Sequence, residues 1–148
     1  MLIDANIFLE VLLNQEKTEA CKKILQEVKE GKKEAALTNF TIDSIIIIMN
    51  RNNVELSSIR LFIKSLSSYK GLTIYQISSK DRIQATKWMK KYNLDYEDSI
   101  ILQAALSTKN KEILTLDHNF NKVEEIKKIK ERAENVENRP LDLGECRP

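Results

Sequence analysis

Four aspartates in this chain stand where a carboxylate is costly or conspicuous. Asp4 follows the apolar pair of "MLIDANIFLE", and Asp117 closes "ILTLD". Asp98 heads the apolar run "SIILQAAL", and Asp43 lies at the polar end of "TIDSIII". An ionised side chain loses several kcal/mol or more when it leaves water unpaired. Carboxylates gathered in one place also repel: two charges ~5 Å apart at an effective dielectric near 20 cost roughly 3 kcal/mol. A site that collects three or four of them therefore calls for a cation. All-oxygen donors favour Mg²⁺, or Mn²⁺ as its substitute, over zinc. A dication held with open positions activates water and stabilises an in-line displacement at phosphorus. Each aspartate also has a plain alternative. Asp98 could complement a helix N-terminus, Asp117 could cap the next helix, and Asp43 could be an exposed first-turn acid.

The elements that must position them follow from hydrophobic periodicity. "MLID", "EAALT", "LTIYQI" and "EILTL" read as short strands. Between them lie helical patterns: "ANIFLEVLLNQ", "EKTEACKKILQEVKEGKK" ending at Gly31, "VELSSIRLFIKSLSSYKG", and "SSKDRIQATKWMKKYN" with Ser78 or Ser79 as cap. In "DYEDSIILQAALSTKN" Asp95 caps a helix that is apolar on nearly every face and so is buried on more than one side. "NFTIDSIIIIMNRNN" stays open between strand and buried helix. "NKVEEIKKIKERAEN" reads as a basic helix, and the segment from Val136 as an extended or loose end. Alternating strands and helices imply a parallel sheet of four to five short strands, covered by helices on both faces. Residues 1–135 form one domain in this reading, with 136–148 as a C-terminal extension. Ligands of such sheets bind at the strand carboxyl ends. If Asp4 and Asp117 end neighbouring strands, they share one crevice, and Asp43 and Asp98 can reach it from helix ends.

Composition removes several alternatives. The chain has 148 residues, enough for one core, and no apolar run approaches the ~20 residues of a membrane span. Its three glycines are isolated, so neither GxGxxG nor GxxxxGK[ST] can be built. His118 is the only imidazole, and no nucleophile elbow accompanies it. Cys21 and Cys146 form no CxxC pair, and no basic-then-apolar leader precedes the first strand. A reducing cytoplasm is the expected setting.

"LIDANIFLEVLL", "ALTNFTIDSI", "YNLDYEDSIILQAAL" and "ILTLDHNF" resemble, in order and spacing, the signatures of the PIN-domain ribonucleases, and most closely the VapC-like toxins and related prokaryotic PIN proteins. The resemblance runs from Leu2 to about Val123. Asp4-x-Asn6 matches the opening Asp-x-Asn/Ser, Asp98 the acid that begins the buried helix, and Thr115-x-Asp117 the closing segment. The resemblance implies a three-layer αβα fold with an acidic crevice and a Mg²⁺-dependent endoribonuclease acting on single-stranded RNA. Asp4, Asp43, Asp98 and Asp117 would be its catalytic acids. Asp4, Asp98 and Asp117 would hold the metal directly or through water, and Asn6 would orient a ligand or the attacking water. Thr115 would tie down the Asp117 end, or serve only as a β-branched strand residue. There are two departures. Asp43 stands where the family has glutamate, and Asn119, neutral and in a supporting place, replaces a second closing acid, which weakens the case for a second metal ion.

Setting the four aspartates apart from the 22 acidic residues leaves 18 against 24 basic ones, a surplus of roughly +6 that suits a phosphate backbone. Arg51, Lys87, Lys90 and Lys91 are the candidate contacts, each with a plain reading as a solvated helix charge. The resemblance further implies a homodimer and, for a toxin, a cognate antitoxin lying over the crevice. Competing readings are a housekeeping RNA-processing nuclease and a catalytically weakened PIN-like module that binds RNA or protein. A phosphatase of the aspartyl-nucleophile type wants a second aspartate where Asn6 stands.

Overall fold

A computed structural model of the chain describes residues 1–129. Strand β1 (Leu2–Ile3) leads directly into α1 (Ala5–Leu12) and α2 (Thr18–Lys29). Gly31, with φ +79°, adopts the left-handed conformation just beyond α2. Strand β2 (Ala35–Thr38) is followed by α3 (Asn39–Arg51) and α4 (Leu56–Leu66), then by β3 (Leu72–Tyr75). A Cβ on Gly71 would lie 2.1 Å from the Lys33 carbonyl oxygen, so only glycine lets β3 start this close to the turn before β2. Helices α5 (Ser79–Tyr92) and α6 (Tyr96–Ser107), strand β4 (Glu112–Leu114), a 3₁₀ turn over His118–Lys122 and strand β5 (Lys127–Lys128) complete the described chain.

The five strands are parallel and lie in the order β3-β2-β1-β4-β5. Alternation along each strand sends neighbouring side chains to opposite faces. Leu2 and Ile113 enter a core with α5 and α6, whereas Ile3, Leu37 and Leu114 enter one with α1 to α4. The result is a three-layer α/β fold. From β1 the chain steps outward through β2 to β3, then returns across the sheet to β4. That reversal puts a topological switch point between β1 and β4, where open α/β sheets form their crevice.

The segment left open between strand and helix is helical. Thr38 caps it by accepting from the Thr41 amide at 2.8 Å, and Thr41, Ile45 and Met49 recur every four residues on its buried stripe. The four isoleucines favour a strand only by local propensity, which packing overrides. The basic helix expected over "NKVEEIKKIKERAEN" does not form in its described part. The chain instead turns through the 3₁₀ segment and pairs as β5 with the edge of β4, the Lys127 and Ile129 amides donating to the Lys111 and Ile113 carbonyls at 2.9 Å. Ile126 and Ile129, three apart, suit one helix face, but on extended chain they point to opposite sides. They enter the two different cores. The rest of that expected helix and the 136–148 extension lie outside the described residues. On α4, Phe62 and Leu66 pack inward, while Leu61 is 68 % exposed.

Candidate active site

Asp4 is the first residue past β1 and the N-cap of α1. Its Oδ1 accepts from the Ala5 amide at 2.7 Å, and its own amide donates to the Leu114 carbonyl at 3.0 Å. The β1–β4 register pairs Ile3 with Leu114, so Asp4 and Thr115 leave the sheet side by side at the switch point. Thr115 is fully buried. Its hydroxyl donates to Asp4 Oδ2 at 2.7 Å and accepts from the Asp117 amide at 3.0 Å. Asn6, the second residue of α1, donates from Nδ2 to Asp4 Oδ2 at 3.2 Å and to Thr115 Oγ1 at 3.1 Å. Its Oδ1 accepts from the Leu116 amide at 3.2 Å. The two strand ends are thus laced together through Thr115 and Asn6.

Asp117 caps the 3₁₀ turn, its Oδ1 accepting from the Asn119 amide at 2.9 Å. Asp98 lies in the first turn of α6, where Asp95 caps the helix and accepts from the Asp98 amide at 2.8 Å. The Asn119 side chain spans the two acids. Its Nδ2 donates to Asp98 Oδ2 at 3.0 Å and to Asp117 Oδ2 at 3.3 Å. Asp4, Asp98 and Asp117, together with Asn6, Thr115 and Asn119, therefore form one connected group.

Burial is the main force on the two inner carboxyls. It pushes Asp4 from 3.8 to about 6 against the Thr115 and Ala5 hydrogen bonds that lower it, and the Asp98 and Asp117 charges add to the rise. It pushes Asp98 to about 6 as well. There the Asn119 hydrogen bond lowers the value, and Asp95, Asp117 and Glu97 raise it. A dication would relieve both. Among the described residues no three His, Cys, Asp or Glu side chains are gathered tightly enough to share one ion. Asp98 and Asp117 nevertheless meet at a single atom, and Asp4 lies behind them with three protein donors already on its carboxylate. Such a set fits Mg²⁺, which keeps several waters and takes one or two carboxylates together with substrate phosphate.

The other sequence candidates make no hydrogen bond to this group among the described residues. Asp43 is exposed in the second turn of α3 and makes no hydrogen bond to the group among the described residues. Arg51 ends α3, a helix that starts from the carboxyl end of β2 and carries it about 20 Å away. Lys91 pairs with Glu125 and lies over the Trp88 and Tyr92 rings. Lys87 and Lys90 are exposed on α5. The structure brings up another cation. Lys128 on β5 reaches the Asp117 carbonyl at 3.3 Å and also bonds Asn121. Its placement depends on a strand that the periodicity of 121–135 disguises as a helix. Beside Leu116, a cavity of about 550 Å³ opens among Glu10, Gln15, Glu16, Lys17 and His118.

A family model described as PIN domain matches residues 1–126. Among solved structures, the chain is similar to a toxin–antitoxin complex from Klebsiella pneumoniae, at 19 % identity and TM-score 0.63, over 84 % of this chain and 93 % of that one. It is also similar to VapC20 of Mycobacterium tuberculosis, described as a sarcin–ricin-loop-cleaving toxin. There the identity is 10 % and the TM-score 0.66, over 81 % of this chain and 92 % of that one. No curated protein sequence matches the chain.

Proposed function

The chain belongs to the PIN domain family, and on that footing we propose that it is a metal-dependent endoribonuclease that cuts single-stranded RNA, the toxin of a toxin–antitoxin pair. One observation carries the reading: Asp4, Asp98 and Asp117 converge through Thr115 and Asn119 at the switch point between β1 and β4. Asp98 and Asp117 would hold Mg²⁺, or Mn²⁺ in its place, with Asp4 acting through water. When bound, the ion supplies charge stabilisation at phosphorus and an activated water. Asp4 caps α1 and anchors Thr115, which fixes the peptide that carries Asp117. Asn6 holds the Leu116 amide, so the strand end keeps its course. Asp43, exposed and not hydrogen-bonded to the group, would act in a supporting role through water. The cavity beside Leu116 and His118 offers room for a base next to the cut.

Lys128 brings positive charge to the rim of an otherwise acidic crevice, which suits an approaching phosphate backbone. No helix among the described residues is long and apolar enough to cross a membrane. A cytoplasmic site of action fits an RNA substrate. Leu61, an exposed large apolar residue on α4, supports a two-fold homodimer through that helix. The antitoxin of such a pair would lie over the acidic crevice, and a small gene immediately upstream would identify it. A weakened, binding-only module is the second reading, favoured by the neutral Asn119 between two acids. Cleavage of a mixed RNA pool with Mg²⁺, Mn²⁺ or EDTA separates the two. Asp98→Asn and Asp117→Asn should each remove most of a metal-dependent activity while the fold persists. Full activity in EDTA, or in both variants, would sink the nuclease proposal.

A further inference from the structure

The Asn119 side-chain amide links Asp98 and Asp117. Nδ2 lies 3.0 Å from Asp98 Oδ2 and 3.3 Å from Asp117 Oδ2, so a single NH₂ group serves both acids. Chemistry fixes that orientation. Turned over, the amide would aim its carbonyl oxygen at two anions. An NH₂ group cannot coordinate a cation, because its nitrogen lone pair is delocalised and its hydrogens point at the acceptors. A dication held by these two carboxylates would compete with that NH₂ for the same oxygens.

We propose that Asn119 is a positioning residue that stands in for the cation. In the metal-free chain it clamps Asp98 and Asp117 through hydrogen bonds to ionised groups, and those hydrogen bonds would have to be given up for the two acids to hold a dication. Metal uptake is then a competition between one amide and one ion for the same two oxygens. This rests on the metal-dependent reading above. It goes beyond that reading by assigning Asn119 an effect of opposite sign on the two states. It steadies the empty arrangement and weakens metal binding. The backbone amide of Asn119 caps Asp117 Oδ1 at 2.9 Å without help from the side chain. Asn119→Ala therefore removes the clamp and keeps the cap of the 3₁₀ turn. The side chain is exposed, so its loss leaves no buried cavity.

The test needs no RNA. Wild type, Asn119→Ala and Asn119→Asp are stripped with chelator, melted, and titrated with Mn²⁺ by calorimetry. Loss of hydrogen bonds to charged groups should lower the melting temperature of metal-free Asn119→Ala and tighten its Mn²⁺ binding by about three- to tenfold. Asn119→Asp should melt lower still without metal and bind Mn²⁺ more tightly again, since it adds a charge to the oxygen set. A merely structural asparagine would lower stability and affinity together, and that result would overturn the proposal. Weaker Mn²⁺ binding in Asn119→Ala would make the side-chain oxygen a ligand, which also overturns it. Equal affinity and melting in wild type and Asn119→Ala would dispose of the clamp and leave the nuclease reading standing. Failure of all three proteins to take up Mn²⁺ would remove the metal-dependent reading and the clamp with it.

Discussion

Replacing Asp4 by asparagine in the metal-free chain should raise its melting temperature at pH 7 and stop doing so near pH 4. Asp4 is 8 % exposed, and its folded carboxyl is pushed from 3.8 to about 6. A carboxyl whose folded value lies above the unfolded one binds more protons when folded, so stability falls as pH rises through the window from about 4 to about 6. The full penalty at pH 7 is about 3 kcal/mol. Asparagine removes it. The new side chain keeps one oxygen for the Ala5 amide, as a good N-cap does, but its NH₂ cannot accept from Thr115 and Asn6. Those losses cost about 1–2 kcal/mol. The net gain of about 1–2 kcal/mol is worth roughly 2–8 °C in a chain of this size. Near pH 4 the wild-type penalty has shrunk to about 0.5 kcal/mol, and the variant should melt at or below wild type. Differential scanning calorimetry in EDTA from pH 4 to pH 8 reads the crossover. A variant that melts below wild type by the same margin at every pH would refute the reasoning, since Asp4 would then be an ordinary cap carrying no electrostatic strain.

Thr115→Val should destabilise the metal-free chain by about 1–3 kcal/mol, because the Asp117 amide loses its buried acceptor. It also removes a hydrogen bond that lowers the Asp4 carboxyl, so denaturant melts should show a larger loss at pH 7 than at pH 4. Asp43→Ala should change stability by no more than about 0.5 kcal/mol and leave RNA cleavage within a few-fold of wild type. A loss in a gel assay as complete as that of Asp98→Asn would instead bring Asp43 into the site. Leu61→Lys should shift a homodimer toward the 17.1 kDa chain in light scattering. Only the single-chain mass in the wild type at micromolar concentration would count against pairing through α4.

Much of the architecture is legible because each element carries its own signature. The capping of α5 by one of Ser78 and Ser79 (the structure uses Ser78), that of α6 by Asp95, the stop at Gly31, and the parallel sheet follow from spacing, turn chemistry and the alternation of strands with helices. The convergence of Asp4 with Thr115 follows once β1 and β4 are taken as neighbours. The end of the described chain was not legible. Val123, Ile126 and Ile129 recur every three residues, and only docking against the edge of β4 decides for extended chain. That misreading concealed Lys128. Asn119 was legible as a departure, but not its contact with both acids, since the reach from α6 to the 3₁₀ turn is set by packing. For Asp43, the apolar run that follows it marks a buried helix stripe. Where the aspartate itself falls on that helix depends on the cap at Thr38, five residues before it, which puts Asp43 in the second turn and not the first.

The pairing of β1 with β4 has a consequence for how the protein is made. Asp4 leaves the ribosome first, but its hydroxyl partner Thr115 lies 111 residues later. Until that stretch has emerged, β1 can pair only with β2 and has one open edge, and the acids from α6 and the 3₁₀ turn have no strand end to meet. The first strand must therefore wait for β4, a late long-range closure of the kind that slows folding. A nascent chain that stops before residue 117 carries at most two aspartates of the group, never the assembled set. On the proposed reading, a translating ribosome is not exposed to a working nuclease from its own unfinished product. A chain truncated at residue 110 should accordingly neither cleave RNA nor show the pH-dependent stability that the assembled acids confer.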